Sequence, residues 1–161
     1  MTTPYASTFP IRFNDIDAAG IVYFPRLLHF CHCALEDFVT DRSARSYRRY
    51  VTDGLVFPVI KIEGGFFRRV HYLDRLQVRV HCEEIRTHAF RMRYDLAVVP
   101  GEGGGVPQDS ARIVIAQAVT RVQDFTLEEV PADLRTALES VALAAPEPPS
   151  GGSLDTRRSR N

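Results

Sequence analysis

Apolar positions follow two different periods along this chain. A compact apolar run from Phe9 to Phe13 predicts a first strand over 8–14. After Pro25 the period lengthens. Leu27, Leu28, Cys31, Leu35 and Phe38 share one helical face, which predicts a single long helix through about Thr40. Pro25 suits its first turn, where a missing N–H costs nothing. A second, polar helical piece is predicted over 43–52, ended by Gly54. From Leu55 the period drops to two. Residues 55–68 read as a strand interrupted at Gly64-Gly65, a pair that marks a bulge or a close backbone approach. Leu76, Val78, Val80 and Cys82 alternate with polar residues, as do Phe90, Met92, Tyr94 and Leu96, giving two half-buried strands joined near Arg86-Thr87-His88. The glycine-rich stretch 100–109 is a loop, 110–123 a fifth strand, and Pro131 opens a short helix to about Val141.

One long helix followed by a meander of strands predicts an α+β fold, with the helix packed on one face of an antiparallel sheet. The length of 161 residues fits one domain, placed at 1–143. Residues 144–161 are mostly Pro, Gly, Ser and Arg. They cannot bury a core and are expected to be a disordered tail.

Charge adds little. Twenty basic and twenty acidic residues cancel, so composition favours neither a nucleic acid nor an anionic membrane as partner. All the basic residues but Lys61 are Arg. A genome rich in Arg codons accounts for that, and phosphate recognition by planar guanidinium groups is the functional alternative. No apolar run reaches the ~20 residues that span a bilayer. Met1 to Ser7 lack the basic-then-apolar pattern of a signal peptide. Cys31, Cys33 and Cys82 sit inside apolar elements and read as reduced thiols of a cytoplasmic protein.

The chemistry concentrates in Asn14-Asp15-Ile16-Asp17-Ala18-Ala19-Gly20-Ile21-Val22-Tyr23-Phe24-Pro25. Two carboxylates occupy a short loop that leads into a helix N-terminus, where unpaired N–H groups carry partial positive charge. A carboxylate beside such donors is placed to attack a carbonyl while the donors stabilise the oxyanion. Asp17 taken alone is open to a turn or capping role, and Asp15, two residues earlier, is read as fixing the loop by hydrogen bonds to backbone N–H groups. His29, His32 and Glu36 share a helix face and are spaced to hold a metal, but a polar helix edge with a His–Glu pair explains them more simply.

The pattern D-x-D-x-A-G-x-V-x-[FY]-P before a helix resembles the signature of the 4-hydroxybenzoyl-CoA thioesterase branch of the hotdog-fold superfamily. Tyr72-Leu73-Asp74-Arg75-Leu76 and the hairpin Glu84 to Phe90 are similar to further parts of that family, and the resemblance covers about 8–125. It implies a hotdog fold, an antiparallel sheet wrapped around one long central helix, and hydrolysis of an acyl-CoA to the free acid and CoA, with no cofactor beyond the CoA of the substrate. It implies that Asp17 is the catalytic carboxylate, as nucleophile or general base, and that the backbone N–H of Phe24 polarises the carbonyl. Phe24 stands where hydroxybenzoyl members carry Tyr, so only its backbone contributes. Arg86 and His88 are expected at the nucleotide end of CoA. Arg68 and Arg69 are read as neighbours on a strand that point to opposite faces, one of them toward CoA. Gly65 is expected at a close backbone approach to the substrate, and Phe24, Phe30 and Phe57 around the acyl group. Such domains pair sheets edge to edge, which implies a homodimer or homotetramer. Two other functions stay open on the residues: a non-catalytic acyl-CoA-binding module, and a hydratase or dehydratase, which would want an Asp–His pair.

Overall fold

The computed structural model describes residues 4–101 and 105–144. The chain runs β1 (Tyr5–Pro10), a 3-10 turn (Phe13–Asp15), α1 (Phe24–Arg42), α2 (Tyr47–Thr52), β2 (Leu55–Val56), β3 (Val59–Phe66), β4 (Arg75–Ile85), β5 (Ala89–Val99), β6 (Gln108–Ala118), β7 (Thr120–Arg121) and α3 (Ala132–Glu139). Five strands form one sheet in the order β1-β4-β5-β6-β3, every pairing antiparallel, and β2 pairs with β7 apart from it. This is the α+β arrangement that the pattern of elements predicts, in the hotdog form that the resemblance implies.

The long helix exists for the reason its spacing gives. Leu27, Phe30, Cys31, Ala34, Leu35, Phe38 and Val39 are buried on one face. They pack against Leu76, Val78 and Val80 of β4, Met92 and Tyr94 of β5, and Ile113 and Ile115 of β6. Burying each large apolar side chain contributes about 1.5–3 kcal/mol, so this seam holds the layers together. Leu134, Ala137 and Leu138 of α3 close one end of the core. The outer face of the sheet is charged: Asp95 accepts from Arg112 at 2.6 Å and Arg93 at 3.0 Å, and Arg91 bridges Glu63 and Glu83.

Several boundaries differ from the sequence pattern. The first strand ends at Pro10, because Phe13 to Asp15 wind into a turn held by Asp15 N–H on Arg12 O. Gly64-Gly65 does not interrupt β3. Register runs unbroken from Lys61 to Phe66, and the irregularity lies between Val59 and Lys61. A Cβ on Gly64 would stand 3.0 Å from Arg112 O, so the glycine permits close strand pairing there. The expected strand over 55–68 is two strands, and that over 110–123 breaks after Ala118. The tail expected to be disordered lies, beyond Ala144, outside the described residues. Among the described residues no helix is long and apolar enough to cross a membrane.

Candidate active site

The motif loop is an internally bonded turn. Ile16 and Val22 face each other across an antiparallel bridge. Asp17 N–H donates to Ile21 O at 3.0 Å, and Gly20, at φ 75°, donates to Asp17 O at 3.0 Å. Gly20 takes the left-handed conformation that closes the turn at no side-chain cost. Val22 N–H is tied to Val70 O, which anchors the loop to the segment after β3.

The two carboxylates have different environments. Asp15 is 2% exposed, and its Oδ1 accepts from Nε (2.8 Å) and Nη2 (2.6 Å) of Arg26. Its Oδ2 accepts from Arg12 N–H, and its carbonyl accepts from Tyr23 N–H. Asp15 therefore fastens the loop to the first turn of α1. The sequence reading anticipated its backbone bonds but missed Arg26, whose signal is an Arg placed in the helix turn that follows the loop. Asp17 is only partly buried, and its Oδ1 accepts from Ala19 N–H at 2.8 Å. Its Oδ2 has no partner among the described residues.

Phe24 is the first residue of α1, and Pro25 follows with no N–H. The Phe24 N–H has no acceptor among the described residues, so the head of a 19-residue helix presents one free amide and the positive end of its dipole. Around it, the Phe24 ring meets Tyr23 at 5.5 Å and Phe66 at 6.4 Å, and all three rings are at least half exposed. Gly65 adjoins Phe66 at the end of β3 nearest this helix head.

One helical turn on, a cavity of about 250 Å³ lies between α1 and the sheet. Its floor is buried: Leu35, Tyr94, Ile115 and Gln117. Its rim is exposed: His29 and His32 on α1, Val59 and Ile62 on β3. Burial raises the Tyr94 phenol well above its usual range, so it stays neutral. His32 pairs with Glu36 at 2.8 Å, while His29 contacts Cys33 at 3.5 Å instead of joining them.

Arg86 borders a separate groove of about 360 Å³ with Ile60, Lys61 and Arg91. Its Nε donates to Glu84 at 2.8 Å, and its other guanidinium N–H groups are unengaged among the described residues. Lys61 and Arg91 are shared with Glu63, so the groove's cations already carry counter-charges. Sequence reasoning missed Lys61 because it comes from β3, outside the hairpin, and Arg91 because it lies one residue past the hairpin segment that ends at Phe90. His88 is exposed at the hairpin tip, and its carbonyl accepts from Val119 N–H.

Two expectations are corrected. Arg68 and Arg69 lie beyond the end of β3, so strand alternation does not separate them. Both border one groove with His71 and Asp74. Phe57 is 5% exposed and enclosed by Tyr47, Tyr50 and Phe90, each about 5.6 Å between ring centres. Phe30 is likewise buried, stacked on Phe9. Both rings support the core and are not open to an acyl group.

No protein-family model matches the chain. A 1,4-dihydroxy-2-naphthoyl-CoA hydrolase of Thermosynechococcus vestitus is 34% identical over 107 residues, 66% of this chain and 67% of the relative. A second, from Rippkaea orientalis, is 33% identical over 115 residues, 71% and 76% of the two chains. The solved dynemicin thioesterase superposes with a TM-score of 0.78 at 26% identity, over 89% of this chain and all of that one. A 4-hydroxybenzoyl-CoA thioesterase complexed with 4-hydroxybenzoyl-CoA has the same fold, with a TM-score of 0.72 at 23% identity over 86% and 98%. With relatives of that identity and coverage, and with the helix-on-sheet architecture described above, the chain belongs to the hotdog-fold superfamily of acyl-CoA thioester hydrolases.

Proposed function

We propose that this protein hydrolyses an aromatic acyl-CoA to the free acid and CoA, with Asp17 as the reacting carboxylate and the Phe24 amide as the oxyanion donor. The observation that carries this reading is the unpaired N–H of Phe24 at the head of α1, directly after the loop that holds Asp17. The thioester oxygen accepts from Phe24 N–H, which stabilises the negative charge that grows on it. Ala19 N–H holds Asp17 Oδ1, and Oδ2 remains for chemistry. As nucleophile, Oδ2 attacks the carbonyl carbon, the thiolate of CoA leaves, and water cleaves the acyl anhydride. As general base, it takes a proton from water that attacks directly. Both routes give the same products.

The exposed rings of Tyr23, Phe24 and Phe66 support an aromatic acyl group, as do the relatives' activities on naphthoyl-CoA esters. The cavity beyond Leu28 suits it in size, since about 150 Å³ takes up benzene. Arg86, Lys61 and Arg91 would meet the CoA phosphates; His88 is exposed at the same hairpin tip as Arg86, and Arg68 lies two residues past Phe66, at the Phe24 end of β3.

The working unit is a homodimer. β3 is an edge strand with Val59, Ile60 and Ile62 exposed at 50%, 62% and 48%. Such an edge is a template for a further strand. Antiparallel pairing of two β3 edges brings the Arg86 groove of one protomer beside the Phe24 end of the other. No cofactor takes part.

Purified protein should release free thiol from benzoyl- or naphthoyl-type CoA esters, read with a thiol reagent, faster than from acetyl-CoA. No release from any CoA ester would overturn the proposal. Cleavage confined to polyenoyl thioesters would overturn its aromatic part.

A further inference from the structure

The cavity floor holds two polar groups that the reaction described above does not use, the Tyr94 phenol and the Gln117 amide. Gln117 occupies an inward position of β6, in line with Ile113 and Ile115, and is 2% exposed. Its Nε2 donates to Phe57 O at 2.9 Å. That carbonyl can only accept, so reversing the amide would set two acceptors against each other. The orientation is thereby fixed, and Oε1 is left as a buried acceptor with no partner among the described residues. Buried polar groups are nearly always paired, and an exception calls for a ligand or a water. Gln117 lines the cavity together with Leu28, Leu35 and Ile115, which offer no donor, and with Tyr94, His29 and His32, none of whose O–H or N–H groups is bonded to Oε1. The cavity begins one turn of α1, about 6 Å, from the amide that takes the carbonyl oxygen.

Resting on the proposed function, we infer that Gln117 Oε1 reads the far end of the acyl group, selecting acids with a hydroxyl remote from the thioester. The hydroxyl donates to Oε1, and Phe57 positions Gln117 through its carbonyl. An acyl group lacking that donor leaves the acceptor buried and unpaired, and a site built to bond a hydroxyl rejects the analogue without it. Phe57, a core residue by its ring, acts on specificity only through Gln117.

The test uses two matched pairs of substrates. One is 4-hydroxybenzoyl-CoA with benzoyl-CoA; the other is 1,4-dihydroxy-2-naphthoyl-CoA with 1-hydroxy-2-naphthoyl-CoA. Wild type should favour the hydroxylated member of at least one pair by roughly ten-fold or more in kcat/KM. Gln117→Met, which keeps the length and removes the acceptor, should bring that ratio to about one while still cleaving the unhydroxylated ester. As a reading independent of the variant's folding, the side-chain amide resonances of Gln117 in wild type should shift with the hydroxylated product acid and not with its unhydroxylated counterpart. Equal use of both members by wild type, a preference that survives Gln117→Met, or unmoved amide resonances would each overturn the assignment. Failure to cleave all four esters would instead overturn the proposed function and this assignment with it.

Discussion

At the scale of single residues, position in the fold separates groups that look alike in sequence. Asp15 and Asp17 are two apart, yet one is a buried ion-pair partner and the other is partly open. Arg26→Ala would strand the Asp15 charge. It should lower stability by about 2 kcal/mol, less than for a fully buried pair because Arg26 is 34% exposed, and denaturant titration would register it. Asp15→Asn should lose stability similarly with a smaller loss of kcat than any change at Asp17. Arg86→Ala should raise KM about ten-fold with little change in kcat, since the phosphates bind alike before and during the reaction. The effect should vanish with an acyl-pantetheine substrate; an equal loss there would place Arg86 elsewhere. The Asp17 and Phe24 positions were legible because a contiguous motif encodes them: loop, then Pro at a helix head. Gln117 was not read, although a polar residue in phase with Ile113 and Ile115 is a visible anomaly in the alternation. The burial of Phe57 was illegible, since aromatic residues serve core and pocket equally well.

At the scale of elements, the period of apolar positions gave the long helix and the central strands, because burial on one face imposes it. It failed where backbone geometry decides, at the Phe13–Asp15 turn and along β3. Two predictions belong here. Gly64→Ala pushes a methyl group against Arg112 O, 3.0 Å away, and should cost about 1–3 kcal/mol by separating β3 from β6. Gly65→Ala meets only the Phe67 ring and should cost less, a contrast that paired melting curves would show. The link between α3 and the α1–α2 turn is ionic. Arg45 donates to both oxygens of Asp133, at 2.7 and 2.9 Å, and holds its carboxyl down to about 2 from an ordinary 3.8. The folded chain thus binds the proton less readily than the unfolded chain. The stabilisation is complete above about pH 4 and is lost as pH falls through 2, worth about 1–2 kcal/mol given the solvent around both side chains. Arg45→Ala should flatten stability over that window; an unchanged acid transition would remove the pair from the account.

At the scale of the whole molecule, the proposed homodimer would make the site described here one half of a larger one. The apolar edge of β3 flanks both the cavity rim and the Arg86 groove. A charge placed on that edge opposes strand pairing, so Ile60→Lys should shift a dimer toward monomer in light scattering and lower activity in step. A fully active monomer would contradict a shared site. Asp17→Asn keeps the shape of the side chain while removing the anionic oxygen, so it isolates the proposed chemistry. In folded, assembled protein it should lower kcat on the preferred aromatic CoA ester by at least about 10²-fold with little change in substrate affinity. Near-normal turnover by that variant would contradict the account.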